Sequence, residues 1–527
     1  MAVRQGTTPF RRPSVRKGLI LWPTLAAMAI LLGIGIALQP IIAAMAVLGG
    51  MILLYGLLAG ELADRTFLAS LAIILGAYAA FDRGVAYVGF GGVYIGEAVL
   101  ALSIIPTVRM LVRRGIGPIE AALIVFMIWG ALRTVPYLGT YGIDAIRDGV
   151  TWGYGIFALA VSLVLTPGAV RKLLDWYRPW MYFFLLWVPV AWVLVEFAIQ
   201  YVPAWPGAKV PIVYIKHGDI AVHLAVVAAF MLSGLYDRRP ASVPGWAVWT
   251  VWMVDVALVG SISRGGLLAV VIGAGSGLLF IRSSKRLIQV LALGLTFLAV
   301  LYLVNPTVPT GYQGRTVSFN QLINNVVSVA GGEDTDSGGL AGNREWRLSW
   351  WRKIVDYSTR GQYAPLGKGF GVNLANEDGF AVDEEGALRS PHSAHMTMLA
   401  RGGPPMLLLW AIVNLVFVYQ VIQAARVARR VRPLLAQLLA CDFVLWLAAF
   451  INMSFDVYLE GPQGGIWFWA SIGFGAWLVR AVREGVDLDD ATDTGEREPP
   501  RRATRSVRNV PDPTRLRPGY SAASSRR

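Results

Sequence analysis

The residues of this chain best suited to chemistry are its four histidines and a small set of cations. His217, His223, His392 and His395 are all the histidines it has. An imidazole titrates near neutrality, so each has the intrinsic basicity to take a proton from a hydroxyl group. The cations are Arg133 and Arg147 in ALRTVPYLGTYGIDAIRDG, Lys216 in YIKHGD, Arg264 in SISRGG, and Arg344 and Arg347 in GNREWRLSWW. Guanidinium forks make two parallel charge-assisted bonds to phosphate or carboxylate oxygens, so the set points to an anionic ligand. His392 and His395 stand three residues apart without a clear third ligand, so no metal site is expected. Cys441 is the only cysteine and has no internal disulfide partner.

The elements that position these residues follow from hydropathy. The 527 residues are 55% hydrophobic and 15% charged, with a mean hydropathy of +0.54. A soluble chain carries about 25% charge, so this one belongs in lipid. A crossing takes about 20 apolar residues. Fourteen stretches qualify, near 18–38, 40–60, 66–82, 97–112, 118–136, 149–167, 179–202, 219–237, 245–260, 263–281, 287–304, 403–424, 434–453 and 465–482. Merging one pair of short spans would give twelve. Arg11, Arg12, Arg16 and Lys17 precede the first stretch and no A-x-A cleavage site follows it, so it reads as a retained span. With the N-terminus inside, the inner loops hold Arg113, Arg114, Arg171, Lys172, Arg238, Arg239, Arg282, Lys285, Arg286, Arg426, Arg429, Arg430 and Arg432. That pattern obeys the positive-inside rule and puts both termini in the cytoplasm.

The expected fold is an all-α polytopic membrane protein of about 14 transmembrane helices (twelve plus an extra N-terminal pair). Its divisions are a basic segment 1–17, spans one to eleven in 18–304, a large extracytoplasmic loop 305–402, spans twelve to fourteen in 403–483, and a tail 484–527. The loop between the eleventh and twelfth spans carries Trp346, Trp350, Trp351, Phe370 and Phe380, which fits a folded cap. The tail is Pro-, Arg- and Ser-rich with little to bury and reads as disordered. The net charge of +14 invites a nucleic-acid reading, but the first seventeen residues carry +5 of it and residues 499–527 carry +7. Those two tails suit the anionic inner leaflet, and no nucleic-acid partner is expected. The chemically suited cations fall on the opposite, outer side, where each is costly near membrane depth unless paired or solvated.

SRGGLLAVVIGAG, NREWRLSWW, APLGKGFG and PHSAHMTMLARGGPP together resemble the O-antigen ligase and O-antigen polymerase superfamily of bacterial envelope enzymes. Its pattern is S-R-G-x-L, then R-L-x-x-W with P-L-x-G-x-G, then H-N-x-x-L with a Gly eleven residues after the His. Arg264 matches the first motif, Arg347 with Trp351 the second, Pro365, Gly367 and Gly369 the third, and His392 with Gly403 the last. Ser393 replaces the usual Asn. A weaker resemblance lies upstream at Glu97, Arg147, Asp148, Lys216 and Asp219. The resemblance implies an inner-membrane glycosyltransferase without metal or cofactor. It would take a glycan from undecaprenyl diphosphate on the outer leaflet and pass it to a hydroxyl of a glycan or lipid acceptor. Arg264, Arg347 and His392 are then the expected catalytic residues, with Arg147, Lys216, Arg344, His217 and Trp351 binding substrate.

Plainer readings exist for each. Arg264 could be satisfied by helix carbonyls in its Gly turn, and Arg347 could stack on Trp346 or Trp350, with Arg344 a rival for its role. His392 could bond the backbone at a helix N-terminus, and Lys216 and His217 could be interfacial. Asp334-Thr335-Asp336 spells the D-x-D that metal-dependent glycosyltransferases use for nucleotide diphosphates, but it lies in a Gly-rich outer run and reads as solvated charge, as does Asp487-Leu488-Asp489. Glu196, Asp255 and Asp442 fall within expected spans, where a carboxylate is a functional candidate by default. They motivate a rival of a different class, a secondary transporter of an anionic solute. The lack of an internal repeat and the large aromatic outer loop favour the enzyme.

Overall fold

The computed structural model describes residues 60–90, 93–206, 210–236, 243–280, 284–311, 315–329, 340–382 and 388–488. The apolar stretches 18–38 and 40–60, the acidic run 333–336 and the tail beyond 488 lie outside the described residues. In lipid every backbone polar group must bond internally, and the remaining twelve apolar stretches are all met by helix. In chain order these are α1 (Glu61–Phe81), α2 (Ile95–Arg113), α3 (Pro118–Thr134), α4 (Ile143–Gly153) continued by α5 (Gly155–Val164), and α6 (Pro167–Phe197). Then come α7 (His217–Ser233), α8 (Gly245–Ile262), α9 (Arg264–Gly277) and α10 (Ser284–Val304). A cap follows with α11 (Phe319–Val329), α12 (Leu340–Thr359) and α13 (Leu374–Asp378). The chain returns through α14 (Ala394–Val431), α15 (Pro433–Phe455) and α16 (Pro462–Glu484). Among the described residues nine helices are long and apolar enough to cross a membrane, and α5, α7 and α9 are shorter apolar helices. Strand is confined to two-residue antiparallel pairs, Gly89–Phe90 with Val93–Tyr94 and Val308–Pro309 with Thr316–Val317. The fold is that of an all-α multi-pass membrane protein.

Small residues set the centre of the bundle. A Cβ added at Gly273 would stand 3.0 Å from the Cβ of Ala448 and 3.3 Å from that of Ala225, and one at Gly266 would stand 3.0 Å from Gly218 Cα. Backbones that approach this closely need Gly and Ala between them, so the glycines of SRGGLLAVVIGAG pack α9 against α7 and α15. The packing has a consequence for the site. It brings the N-terminus of α7 (His217), the N-terminus of α9 (Arg264) and the C-terminus of α15 (Phe455) to one end of the bundle, beneath the cap.

The helix expected to begin at 403 already begins at Ala394 and runs 38 residues, broken at Gly403, whose φ of 71° lies in the left-handed region. The break explains why hydropathy alone starts the span there. Pro404 and Pro405 have no N–H to bond the carbonyls four residues back, Ala400 and Arg401. Those two carbonyls are taken by a strap from the cap instead: Lys368 N–H donates to Ala400 O at 2.7 Å and Gly369 N–H to Arg401 O at 2.9 Å. A Cβ on Gly403 would collide with Pro365 O. Trp129 Nε1 donates to Gly402 O at 3.0 Å and Arg133 Nε to Leu366 O at 3.0 Å, so α3 locks the same junction. Thus APLGKGFG and ARGGPP, separate in sequence, are two halves of one joint between cap and bundle.

Candidate active site

Asp456, the residue after α15, is the hub. Its carboxylate forms an ion pair with Lys216 Nζ and stands 3.7 Å from His392 Nδ1. Burial alone would push this carboxyl up, but Lys216 and His392 more than offset it and hold Asp456 well below the usual carboxylate range. The preceding residue, Phe455, accepts a hydrogen bond at its carbonyl from Arg347 Nη1 at 2.8 Å. Burial pulls the Arg347 guanidinium below its ordinary value, with Asp456 opposing that pull. Arg264 is half-buried at the first position of α9, capped by Ser263 Oγ, which accepts from Gly266 N–H at 3.0 Å. A Cβ at the next residue, Gly265, would lie 3.5 Å from Phe455 Cβ. Four elements distant in sequence therefore converge on the end of α15.

His392 is held rather than merely present. Its φ of 52° is left-handed, a conformation costly for a side chain of this size and most often kept at functional positions. Trp351 Nε1 donates to Pro391 O at 2.9 Å, and Trp346 presents a near-perpendicular ring 6.4 Å from the imidazole. Trp351 thus fixes the strap that carries His392. A carboxylate beside one ring nitrogen, with no hydrogen-bond partner for the other among the described residues, is the arrangement that makes a histidine a directional base. His395 is differently employed: Nδ1 accepts from Trp410 Nε1 at 3.0 Å, and Nε2 lies 2.9 Å from Ser454 Oγ.

A second layer of charge lies behind Lys216. The buried Asp82 accepts from Lys216 N–H at 2.5 Å, and its own φ of 49° makes it another left-handed residue of this cluster. Asp219 is buried and accepts from Asn452 Nδ2 at 2.9 Å. Arg83 lies in the field of Asp82, Asp219 and Asp456. The sequence reading passed over Asp82, Arg83, Asn452 and Asp456. The available signal was weak: one acidic residue in each of two short turns, FDRG and FDVY.

The other expected site residues are placed elsewhere. His217 Nε2 meets Glu196 Oε1 at 3.3 Å, and Glu196 also accepts from Gly311 N–H at 3.0 Å, so this carboxylate ties the end of α6 to the cap rather than standing alone in a span. Arg147 is exposed and pairs with Asp144 at 3.2 Å, beside a separate buried knot in which Asp148 holds Arg401 at 2.9 Å, Arg389 at 3.2 Å and Gly371 N–H at 3.0 Å. Arg344 is exposed on α12. His223 packs edge-on against Phe184 and Trp467 inside the bundle. Both carboxylate oxygens of Asp255 and of Asp442 are buried without a hydrogen-bond partner among the described residues. Among those residues no three His, Cys, Asp or Glu side chains stand close enough to hold a metal ion.

The fold and this cluster define a class: a multi-pass helical membrane protein with cations, a carboxylate and a constrained histidine gathered under a cap. Within that class the segment that carries Arg264, Arg347 and His392 is similar to one family. Residues 246–411 match the model of the O-Antigen ligase family, about a third of the chain, and the match supports the O-antigen ligase and polymerase superfamily. That family implies a glycosyltransferase-like enzyme. No curated protein matches the chain.

Proposed function

We propose that the protein is an O-antigen ligase-like glycosyltransferase of the bacterial inner membrane. It moves a glycan from undecaprenyl diphosphate to a hydroxyl of lipid A core, growing polysaccharide or another envelope glycan. The cluster under the cap faces the extracytoplasmic side, both termini are cytoplasmic, and residues 305–402 are the catalytic cap. The observation that carries this reading is the convergence of Lys216, Arg264, Arg347 and His392 on Asp456 and Phe455.

The chemistry balances with these residues alone. The acceptor oxygen attacks the anomeric carbon, and its proton passes to the ring nitrogen of His392 that faces away from Asp456. The bond from the anomeric carbon to the diphosphate oxygen breaks, its electron pair stays with that oxygen, and undecaprenyl diphosphate leaves. Arg264 and Arg347 bear on the diphosphate, with Lys216 as a further anion contact and Asp456 orienting His392 and Lys216. Preorganised cations at a developing anion in a water-poor site supply several kcal/mol of stabilisation. They carry the charge a metal would otherwise provide, so the transfer is metal-independent.

The test incubates purified protein with lipid-linked glycan and acceptor. Product formation that survives chelator and disappears in R264A and H392A supports the reading. Full activity in either variant, or anionic-solute flux in vesicles without glycan transfer, overturns it. Asp255 and Asp442 would then be the first residues to examine in a transporter.

A further inference from the structure

We infer that a groove along the outward stripe of α12 receives the acceptor saccharide, and that Arg352 and Arg360 recognise acidic substituents on it. This rests on the glycosyltransferase reading and adds to it the place and charge of the second substrate. The groove encloses about 380 Å³ and is lined by Trp351, Arg352, Val355, Asp356, Arg360 and Met396, among others. Such a volume lies within the usual range for small-ligand sites. Positions 352, 355, 356 and 359 follow Trp351 at helical spacing, so they share a face, and Trp351 to Arg360 spans about 13 Å at 1.5 Å per residue. That is room for a short run of sugar rings rather than a single small ion.

Three features select a saccharide acceptor. First, the groove ends beside the base: Trp351, which forms its wall, bonds the carbonyl of Pro391, the neighbour of His392. Second, Arg347 does not line the groove, and its side chain turns instead to the Phe455 carbonyl. A single displacement needs attacking and leaving oxygens on opposite faces of the sugar, so a donor on the Arg347 side leaves this side for the acceptor. Third, Arg352, Asp356 and Arg360 are exposed and make no side-chain hydrogen bond or ion pair among the described residues. Two uncommitted guanidinium groups against one carboxylate, beside an aromatic wall, suit a phosphorylated or otherwise acidic oligosaccharide.

The experiment compares the full-length protein with its R352A/R360A variant in vesicles. Undecaprenyl-diphosphate-linked glycan serves as donor, and phosphorylated lipid A core oligosaccharide, or the same material after phosphatase treatment, as acceptor. The expected result is an acceptor KM raised about tenfold or more, the loss of at least one charge-assisted contact, with donor KM unchanged. Phosphatase-treated acceptor should raise the parent's KM in the same way and abolish the difference between parent and variant. An unchanged acceptor KM overturns the inference. So does a donor KM that rises equally, which would assign the groove to the diphosphate, and so does a variant effect seen only in anionic vesicles, which would assign it to bilayer headgroups. Equilibrium binding of the phosphorylated oligosaccharide is measured alongside turnover. A parent that binds it through Arg352 and Arg360 but never transfers sinks the transferase reading and leaves the groove standing.

Discussion

The two ends of the helical bundle use arginine and lysine in opposite ways. At the end away from the cap, cations mainly finish helices, and where one also meets a buried carboxylate, Arg480 at Glu120, no constrained histidine joins the pair. Arg114 Nη1 donates to Leu163 O at 2.9 Å, Arg178 Nε to Leu235 O at 3.1 Å, Arg432 Nη2 to Gly485 O at 2.8 Å and Arg480 Nη1 to Ser162 O at 2.9 Å. Carbonyls in the last turn of a helix have no intrahelical donor and sit at the negative end of the dipole, so a guanidinium there serves stability. At the cap end Arg347 does the same for Phe455, but Lys216 and His392 meet a carboxylate instead, and two residues of the cluster, Asp82 and His392, hold left-handed backbones. A chain that keeps costly backbone conformations where charge converges is maintaining a geometry, not closing a helix. The contrast supports the proposal that the cap end carries the site.

The largest expected effect breaks the cap end at its strained residue. H392G should lose about 10²–10⁴-fold in transfer, the contribution of a positioned general base. Glycine adopts φ of 52° freely, so the variant should also unfold at the same or a higher temperature, relieved of roughly 1 kcal/mol of backbone strain. Thermal melts with activity measured on the same sample check both halves. Retained transfer, or a large drop in stability, would return His392 to an ordinary helix N-terminus.

The second effect is smaller and sharpens the role of the hub. D456N should cut transfer by about one to two orders of magnitude by freeing both Lys216 and His392, which is less than removing the base itself. The parent's depressed carboxyl pKa gives the sign of the pH dependence. Its stabilisation is complete above the ordinary aspartate value of about 3.9 and is lost only as pH falls through the lower folded-state value. The gap in melting temperature between parent and D456N should therefore stay constant from neutral pH down to about 4 and close in stronger acid. A gap that already closes well above pH 4 would mean that the ion pair does not hold the Asp456 carboxyl down.

Much of this was legible from residue types, and the rest was not for definite reasons. Spans are written in long apolar runs, so helix covers each expected run among the described residues. Even so, α6 starts at Pro167 rather than near 179, the 149–167 run breaks between α4 and α5, and α14 starts before 403. There the Gly403–Pro404–Pro405 break mimics a helix start, and only the strap reveals that Lys368 and Gly369 supply the missing donors. Arg264, Lys216 and Arg347 stood out as cations on the side expected to lack them, and His392 through the motif that carries it. Asp456 did not, because one aspartate in a four-residue turn has no period and no partner in sequence. Its meaning comes from α7, the cap strap and α12 meeting it in space. Trp351 was read as a substrate contact, and its indole N–H proves to be engaged by Pro391 O, leaving only its ring for a ligand.

The smallest expected effect on transfer tests the other side of the comparison. Arg480 pairs with the buried Glu120 at the end away from the cap and donates to Ser162 O. R480M keeps much of the side chain's apolar bulk but strands a carboxylate that is 3% exposed, which costs about 3 kcal/mol even with Ser162 Oγ still bonded to Glu120. The melting temperature should fall by several degrees while transfer per folded molecule stays within about twofold of the parent, because Arg480 and Glu120 make no contact with the cluster around Asp456 among the described residues. E120Q/R480M should recover most of the loss, since a neutral amide no longer needs the guanidinium. A fall in transfer per folded molecule as large as that of D456N would mean that the two ends are coupled through the bundle. The separation of structural from functional cations would then be the wrong division of this molecule.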